Sequence, residues 1–102
     1  MAKFRFSNAA VKDLSVIWNY TADEWSEAQA DQYYQMLMAS CGKIAENPTL
    51  YGRKYDVITQ DLLGFKVNKH LIFYKIVDNE SVFIIRILHE QMDLKNLKTK
   101  CN

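Results

Sequence analysis

Residues 8 to 46 carry two apolar stripes at helical spacing. Ala10, Val11, Leu14, Ile17, Trp18, Ala22 and Trp25 recur at intervals of three and four, which predicts an amphipathic helix from about residue 8 to 25. Ser7, just before it, offers a side-chain oxygen to the unpaired N–H groups of the first turn. The second stripe is Ala30, Tyr33, Leu37, Cys41 and Ile44, with Tyr34, Met36 and Ala45 alongside. "SEAQ" at Ser26–Gln29 has the capping-box form that opens such a helix. Asn47–Pro48 closes it, because proline disfavours helix at the residue before it. Almost no linker separates the two helices, so they are predicted to form an antiparallel hairpin.

The period then changes. "LGFKVN" alternates Phe65 and Val67 with Lys66 and Asn68, and "HLIFYKIV" and "VFIIRIL" are apolar on both faces. These are strands, with "DNES" as a hairpin turn between the last two. "KFRF" near the start alternates basic and aromatic residues as a short strand does. "TLYGRKYDVITQD" is expected to be a connecting segment with a turn at Gly52. The predicted architecture is α+β: an N-terminal strand, a two-helix hairpin over about 8–46, then a three-stranded antiparallel meander over about 62–89. The helices pack on one face of the sheet, the first strand joins its edge, and residues 90–102 form a tail. One domain spanning 1–102 accounts for the whole chain.

Composition adds exclusions. Apolar residues make up 49% and charged residues 25%, with a net charge of +1, a balance that argues against a strongly nucleic-acid-binding protein. Four basic residues face six acidic ones up to position 50, and nine face six after it, so a mild positive bias lies in the second half. Cys41 and Cys101 make no disulfide framework, and no Cys/His spacing suits zinc. A reduced, cytoplasmic setting is expected, with no metal and no cofactor. No apolar run suits a signal peptide or a membrane span.

Individual residues leave alternatives open. By strict alternation Arg86 shares a strand face with Val82, Ile84 and Leu88, where an unpaired charge is costly. It therefore meets a ligand or an acid such as Asp93, or emerges at the open face of the sheet. His89 falls on the other face with Phe83, Ile85 and Ile87. General acid–base work is chemically open to it, but no nucleophile or carboxylate has a spacing that makes it a triad member, and a packed, hydrogen-bonded histidine is the preferred reading. Met92 and Asp93 can plug a sheet edge and cap the following turn. Lys66, Lys69, His70 and Lys75 on the meander either discourage edge-to-edge pairing of sheets or line a groove for a phosphate backbone. Trp18, Trp25, Tyr20, Tyr33 and Tyr34 make the hairpin rich in aromatics, enough to leave some for a protein interface. No glycine-rich phosphate loop is present.

In order, "AAVKDLSVIWNYTADEW", "QADQYYQML", "IAENPTLYGRKYD", "HLIFYKI" and "IIRILHEQMD" resemble the ParE branch of the RelE/ParE superfamily of bacterial toxins, over nearly the whole chain. In the RelE-type ribonucleases of that superfamily the last strand carries catalytic basic residues, usually followed by a tyrosine. Those enzymes cut mRNA in the ribosome without a metal. Here Arg86 stands at the matching strand position and Lys66 could replace a catalytic arginine, with His89 as a further candidate. The tail "EQMDLKNLKTKCN" holds no tyrosine, however, and Leu94 stands about where one is expected.

The resemblance therefore implies a ParE-like toxin rather than an enzyme. Such toxins inhibit DNA gyrase, stabilise its cleaved-DNA state and arrest growth. A ParD-like antitoxin, usually with a ribbon-helix-helix DNA-binding head, neutralises them and represses the shared operon, so the toxin need not contact DNA itself. The expected antitoxin surface is the hairpin over residues 8–46, through Val11, Leu14, Trp18, Trp25, Tyr33, Tyr34 and Leu37, together with the sheet, by helix-in-groove and strand-addition modes. The expected target-contacting residues are Arg53, Lys54, Lys66, Arg86, His89, Met92 and Asp93. The alternatives are a ribosome-dependent mRNA endoribonuclease using Lys66, Arg86 and His89, and an inactive member that only binds an antitoxin.

Overall fold

A computed structural model describes residues 3–79 and 81–90. Strand β1 (Lys3–Phe6) leads into α1 (Asn8–Glu24) and α2 (Glu27–Glu46). Both predicted caps form: the Ser7 hydroxyl accepts from the Ala10 amide at 3.0 Å and the Ser26 hydroxyl from the Gln29 amide at 3.0 Å. Between the helices, the Trp18 indole N–H donates to Asp31 at 2.9 Å. Pro48 closes α2 as expected, but it also opens a further turn of helix, α3 (Pro48–Tyr51). Proline suits a first helical position, because the N–H it lacks has no partner there.

The sheet has five strands where four were predicted. Besides β3 (Leu63–Val67), β4 (His70–Asp78) and β5 (Ser81–His89), the connecting segment supplies a two-residue strand, β2 (Arg53–Lys54). The order is β1-β5-β4-β3-β2. The last three strands form the expected meander, and β1 takes the expected edge place, parallel to β5 with Phe4 beside Val82. Ser7 seals the join, its amide bonding the Ile84 carbonyl and its hydroxyl the Ile85 carbonyl.

Two cores explain why β4 and β5 are apolar on both faces. Against the helices, Leu37, Cys41 and Ile44 pack on Ile72, Tyr74 and Ile84. On the opposite face, the segment around Tyr55, Ile58 and Leu62 lies over Phe73 and Leu88. That cover is irregular chain, which period-based reading does not detect.

A bulge corrects the expected strand faces. Phe73 pairs with Arg86 but Tyr74 pairs with Ile84, leaving Ile85 as an extra residue on β5. Ile87, not Leu88, therefore joins Val82 and Ile84 in the helix-side core, while Leu88 and Ile85 face the opposite one. One inserted residue reverses every side chain beyond it.

Gly52 shows how tightly α3 sits. The buried Tyr74 donates its hydroxyl to the Pro48 carbonyl at 2.5 Å, and a Cβ on Gly52 would collide with that hydroxyl and lie 3.1 Å from Leu63 Cβ. Gly52→Ala is expected to cost about 1–3 kcal/mol through overpacking, read as a lower urea midpoint. The penalty should shrink in a Tyr74→Phe background, where the colliding oxygen is gone. Equal penalties in both backgrounds would refute the steric account.

Candidate functional site

Three regions hold the candidate residues. The first is the exit of β5. There His70 and His89 are register partners with ring centres 5.3 Å apart. Tyr33, from α2, places its hydroxyl 2.5 Å from His70 Nδ1. These three side chains border an open cavity of about 560 Å³, with Ile17, Tyr20 and Trp25 among its other walls. His89 thus sits on the helix side with Ile87, as a packed side chain, and apart from Ile85. Burial, first, and the neighbouring His89, second, hold the His70 pKa below its ordinary value, with Glu90 pulling weakly the other way. Burial also pushes the Tyr33 phenol up, against the bond from the Lys69 backbone.

This has a consequence for pH dependence. A histidine whose folded pKa is depressed takes up a proton more readily in the unfolded chain. His70 therefore costs no stability above about pH 6.5, its unfolded value, and stability is lost as pH falls through the lower folded pKa. Urea midpoints between pH 7.5 and 5 should decline, and the decline should be shallower in His70→Gln. An identical slope in that variant would assign the loss to other groups.

The second region is the β5 edge beyond β1. Arg86 does meet an acid, Asp13 of α1: Nε lies 2.8 Å and Nη2 3.0 Å from the two carboxylate oxygens. The same carboxylate accepts the Ile87 amide at 3.0 Å. The sequence reading suggested Asp93, which lies outside the described residues, as does Met92. Lys66 on β3 pairs with Glu90 at 2.8 Å, and that bond lowers the Glu90 pKa. Arg53 and Lys54 are exposed on the two-residue edge strand β2. The ribonuclease candidates therefore divide: Arg86 is held by α1, Lys66 by Glu90, and His89 lies against His70. Among the described residues no three His, Cys, Asp or Glu side chains gather as a metal set.

The third region is the outer surface of the hairpin. Trp25 is 71% exposed, Tyr20 65%, Val16 59% and Val11 52%. A second hollow, of about 370 Å³, lies between Phe6, Val11, Trp18 and Tyr34. Of the seven residues expected to meet an antitoxin, Leu14 and Leu37 are instead buried in the core, and Tyr33 is engaged with His70. Val16 was missed, and Tyr20, named among the hairpin aromatics, was left out of that set. Their signal was available, since they fall off the sheet-facing stripe of α1 yet are large and apolar. No helix among the described residues is long and apolar enough to cross a membrane.

Residues 4–94 match the family described as the ParE toxin of the type II toxin–antitoxin system parDE. This chain belongs to the ParE toxin family. It is 31% identical over 93 residues to Toxin ParE1 of Mycobacterium tuberculosis, covering 91% of this chain and 94% of that one. The ParE fold recurs in solved structures. A chain of the chromosomal ParDE toxin–antitoxin system from P. aeruginosa superposes with a TM-score of 0.75 at 13% identity, covering 87% of this chain and 96% of the other. A chain of the toxin–antitoxin complex RelBE2 from Mycobacterium tuberculosis gives 0.56 at 15%, with 86% and 96% covered. At those identities the likeness is one of fold alone, the α+β arrangement of two helices packed on a sheet.

Proposed function

We propose that this ParE-family toxin acts by binding DNA gyrase and stabilising its cleaved-DNA complex, and that a ParD-like antitoxin neutralises it. The observation that carries the reading is the bidentate Asp13–Arg86 pair. A ribonuclease needs preorganised cationic groups aimed at the charge developing on the scissile phosphate. In this chain the strand arginine is aimed at α1, and the tail lacks the tyrosine expected of the ribonucleases.

The antitoxin follows from family membership and from the hairpin. Large apolar side chains as exposed as Trp25, Tyr20 and Val16 mark a surface that a partner covers. An amphipathic segment laid along α1 would bury them. Target contact is assigned to Arg53, Lys54, Lys66 and the segment from His89 through Met92 and Asp93, and to Arg86 only on release of the Asp13 carboxylate that holds it. The Lys66–Glu90 pair is no obstacle, since Lys66 is 62% exposed and such pairs contribute little. Action in the cytoplasm, where gyrase works, completes the proposal. Binding of operator DNA falls to the antitoxin.

Purified toxin is to be added to gyrase with supercoiled plasmid and, in parallel, to a cell-free translation reaction. Inhibited supercoiling with accumulating cleaved DNA, while translation continues, is the expected result. Cut mRNA with gyrase untouched would replace this reading with the endoribonuclease. Folded toxin inert in both assays and harmless when overproduced would leave an antitoxin-binding member without a target.

A further inference from the structure

We propose that His70 and His89 form a two-imidazole site for a divalent transition-metal ion, copper(II) above the others. The two residues are register partners on β4 and β5. The bond from the Glu90 amide to the Lys69 carbonyl, 2.8 Å, marks them as a non-hydrogen-bonded pair. That is the ladder position at which facing side chains come closest. Their ring centres are 5.3 Å apart. Two imidazoles sharing one ion at about 2.0–2.1 Å per nitrogen have ring centres roughly 4.5 Å apart at the right angle a tetragonal copper(II) site prefers and roughly 5 Å apart at a tetrahedral angle. The strands therefore hold the rings at chelating separation.

A simple edge-to-face ring contact gives the same spacing, so a second observation is needed, and it lies behind His70. The Tyr33 hydroxyl is 2.5 Å from Nδ1. The direction of that bond follows the tautomer, and an ion on Nε2 selects the form in which Nδ1–H is given to the Tyr33 oxygen, so the bond stays in place when the metal binds. An oxygen partner on the other ring nitrogen is the usual companion of a metal-binding histidine, fixing both tautomer and ring orientation. Tyr33 comes from α2 and His89 from the neighbouring strand, so three separate elements build the arrangement.

Glu90 is turned to Lys66 at 2.8 Å and is not counted as a ligand. With two protein nitrogens, water completes the coordination sphere. An ion bound there ties β4 to β5 at the rim of the larger cavity, beside Tyr33. The order of affinity should follow the general preference of nitrogen sites, copper above nickel and zinc. The assignment does not depend on the cellular target of the toxin.

The test is a calorimetric titration of the full chain, stripped with EDTA and carrying Cys101→Ser so that sulfur ligation is limited to the buried Cys41. CuCl2, NiCl2 and ZnCl2 are added separately, and the copper form is examined by electron paramagnetic resonance. One copper per chain is expected, with nitrogen couplings from two imidazoles. Both His70→Gln and His89→Gln should weaken binding at least about tenfold, and Tyr33→Phe, which keeps both ligands, by about tenfold or more. His89→Gln leaves the Tyr33–His70 bond in place, so it decides the matter should circular dichroism show His70→Gln unfolded. Copper held by one imidazole or none, or binding unchanged in His89→Gln, would mean an adventitious ion only and overturn the site. Unchanged affinity in Tyr33→Phe would overturn the role given to Tyr33.

Discussion

Asp13→Ala should lower folding stability by about 2–3 kcal/mol, the range for removing a charged hydrogen-bond partner from a partly buried site. The carboxylate accepts three bonds, two from Arg86 and one from the Ile87 amide. Without it an arginine whose side chain is only 29% exposed keeps its charge and loses the carboxylate that takes two of its N–H groups. That residual exposure is why the figure stays below the 3–5 kcal/mol of a fully buried pair. For a domain this size the melting temperature should fall by roughly 8–24 °C. Replacing both partners, as in Asp13→Leu with Arg86→Met, should cost clearly less than the two single changes added together. A strictly additive double variant would show that the pair is not coupled. The experiment also bears on function, because loss of toxicity in an Arg86 variant means target contact only where the variant is shown to be folded.

The second large effect separates core from surface on the hairpin. Leu37 is fully buried among Cys41, Ile44 and Ile72, and Leu37→Ala should cost about 2–5 kcal/mol. Trp25, 71% exposed, should do the reverse. Trp25→Ala is expected to change stability by less than about 1 kcal/mol and to weaken antitoxin binding by about 2 kcal/mol or more, as an aromatic anchor does. Urea unfolding and calorimetry with the cognate antitoxin read the two quantities separately. Full antitoxin affinity in folded Trp25→Ala would remove this end of the hairpin from the interface.

What the sequence made legible was local. Helix caps at Ser7 and Ser26 and the stop at Pro48 are decided by neighbours within four residues, and Ala30, Leu37, Cys41 and Ile44 of the α2 stripe are buried as their spacing implies, with Tyr33 half-buried. The stripe of α1 was legible only in part, since Val11 lies on it and is exposed. What escaped depends on distant chain. Nothing in the spacing of Asp13 and Arg86, 73 positions apart, brings them together. The bulge at Ile85 is invisible to alternation and exchanges the roles of Ile87 and Leu88. The meeting of His70 and His89 could have been found. A turn tight enough to pair Asp78 with Ser81 also pairs 70 with 89, and the extra residue on β5 at Ile85 is offset by one on β4 at Val77. Two irregularities that cancel leave the hairpin's far end in the register of a plain ladder.

The place of β5 between β1 and β4 has a consequence during synthesis. Among the described residues, this strand, which sits beside the first one made, is the last to be made. At roughly 5–20 residues per second, several seconds separate the completion of α2 at Glu46 from that of β5 at His89. Throughout that interval β1 has no strand to pair with, and the helices have no finished sheet to cover. The nascent toxin is therefore incomplete until its C-terminal third has emerged. An antitoxin already waiting at the ribosome would meet the hairpin before the chain is able to act.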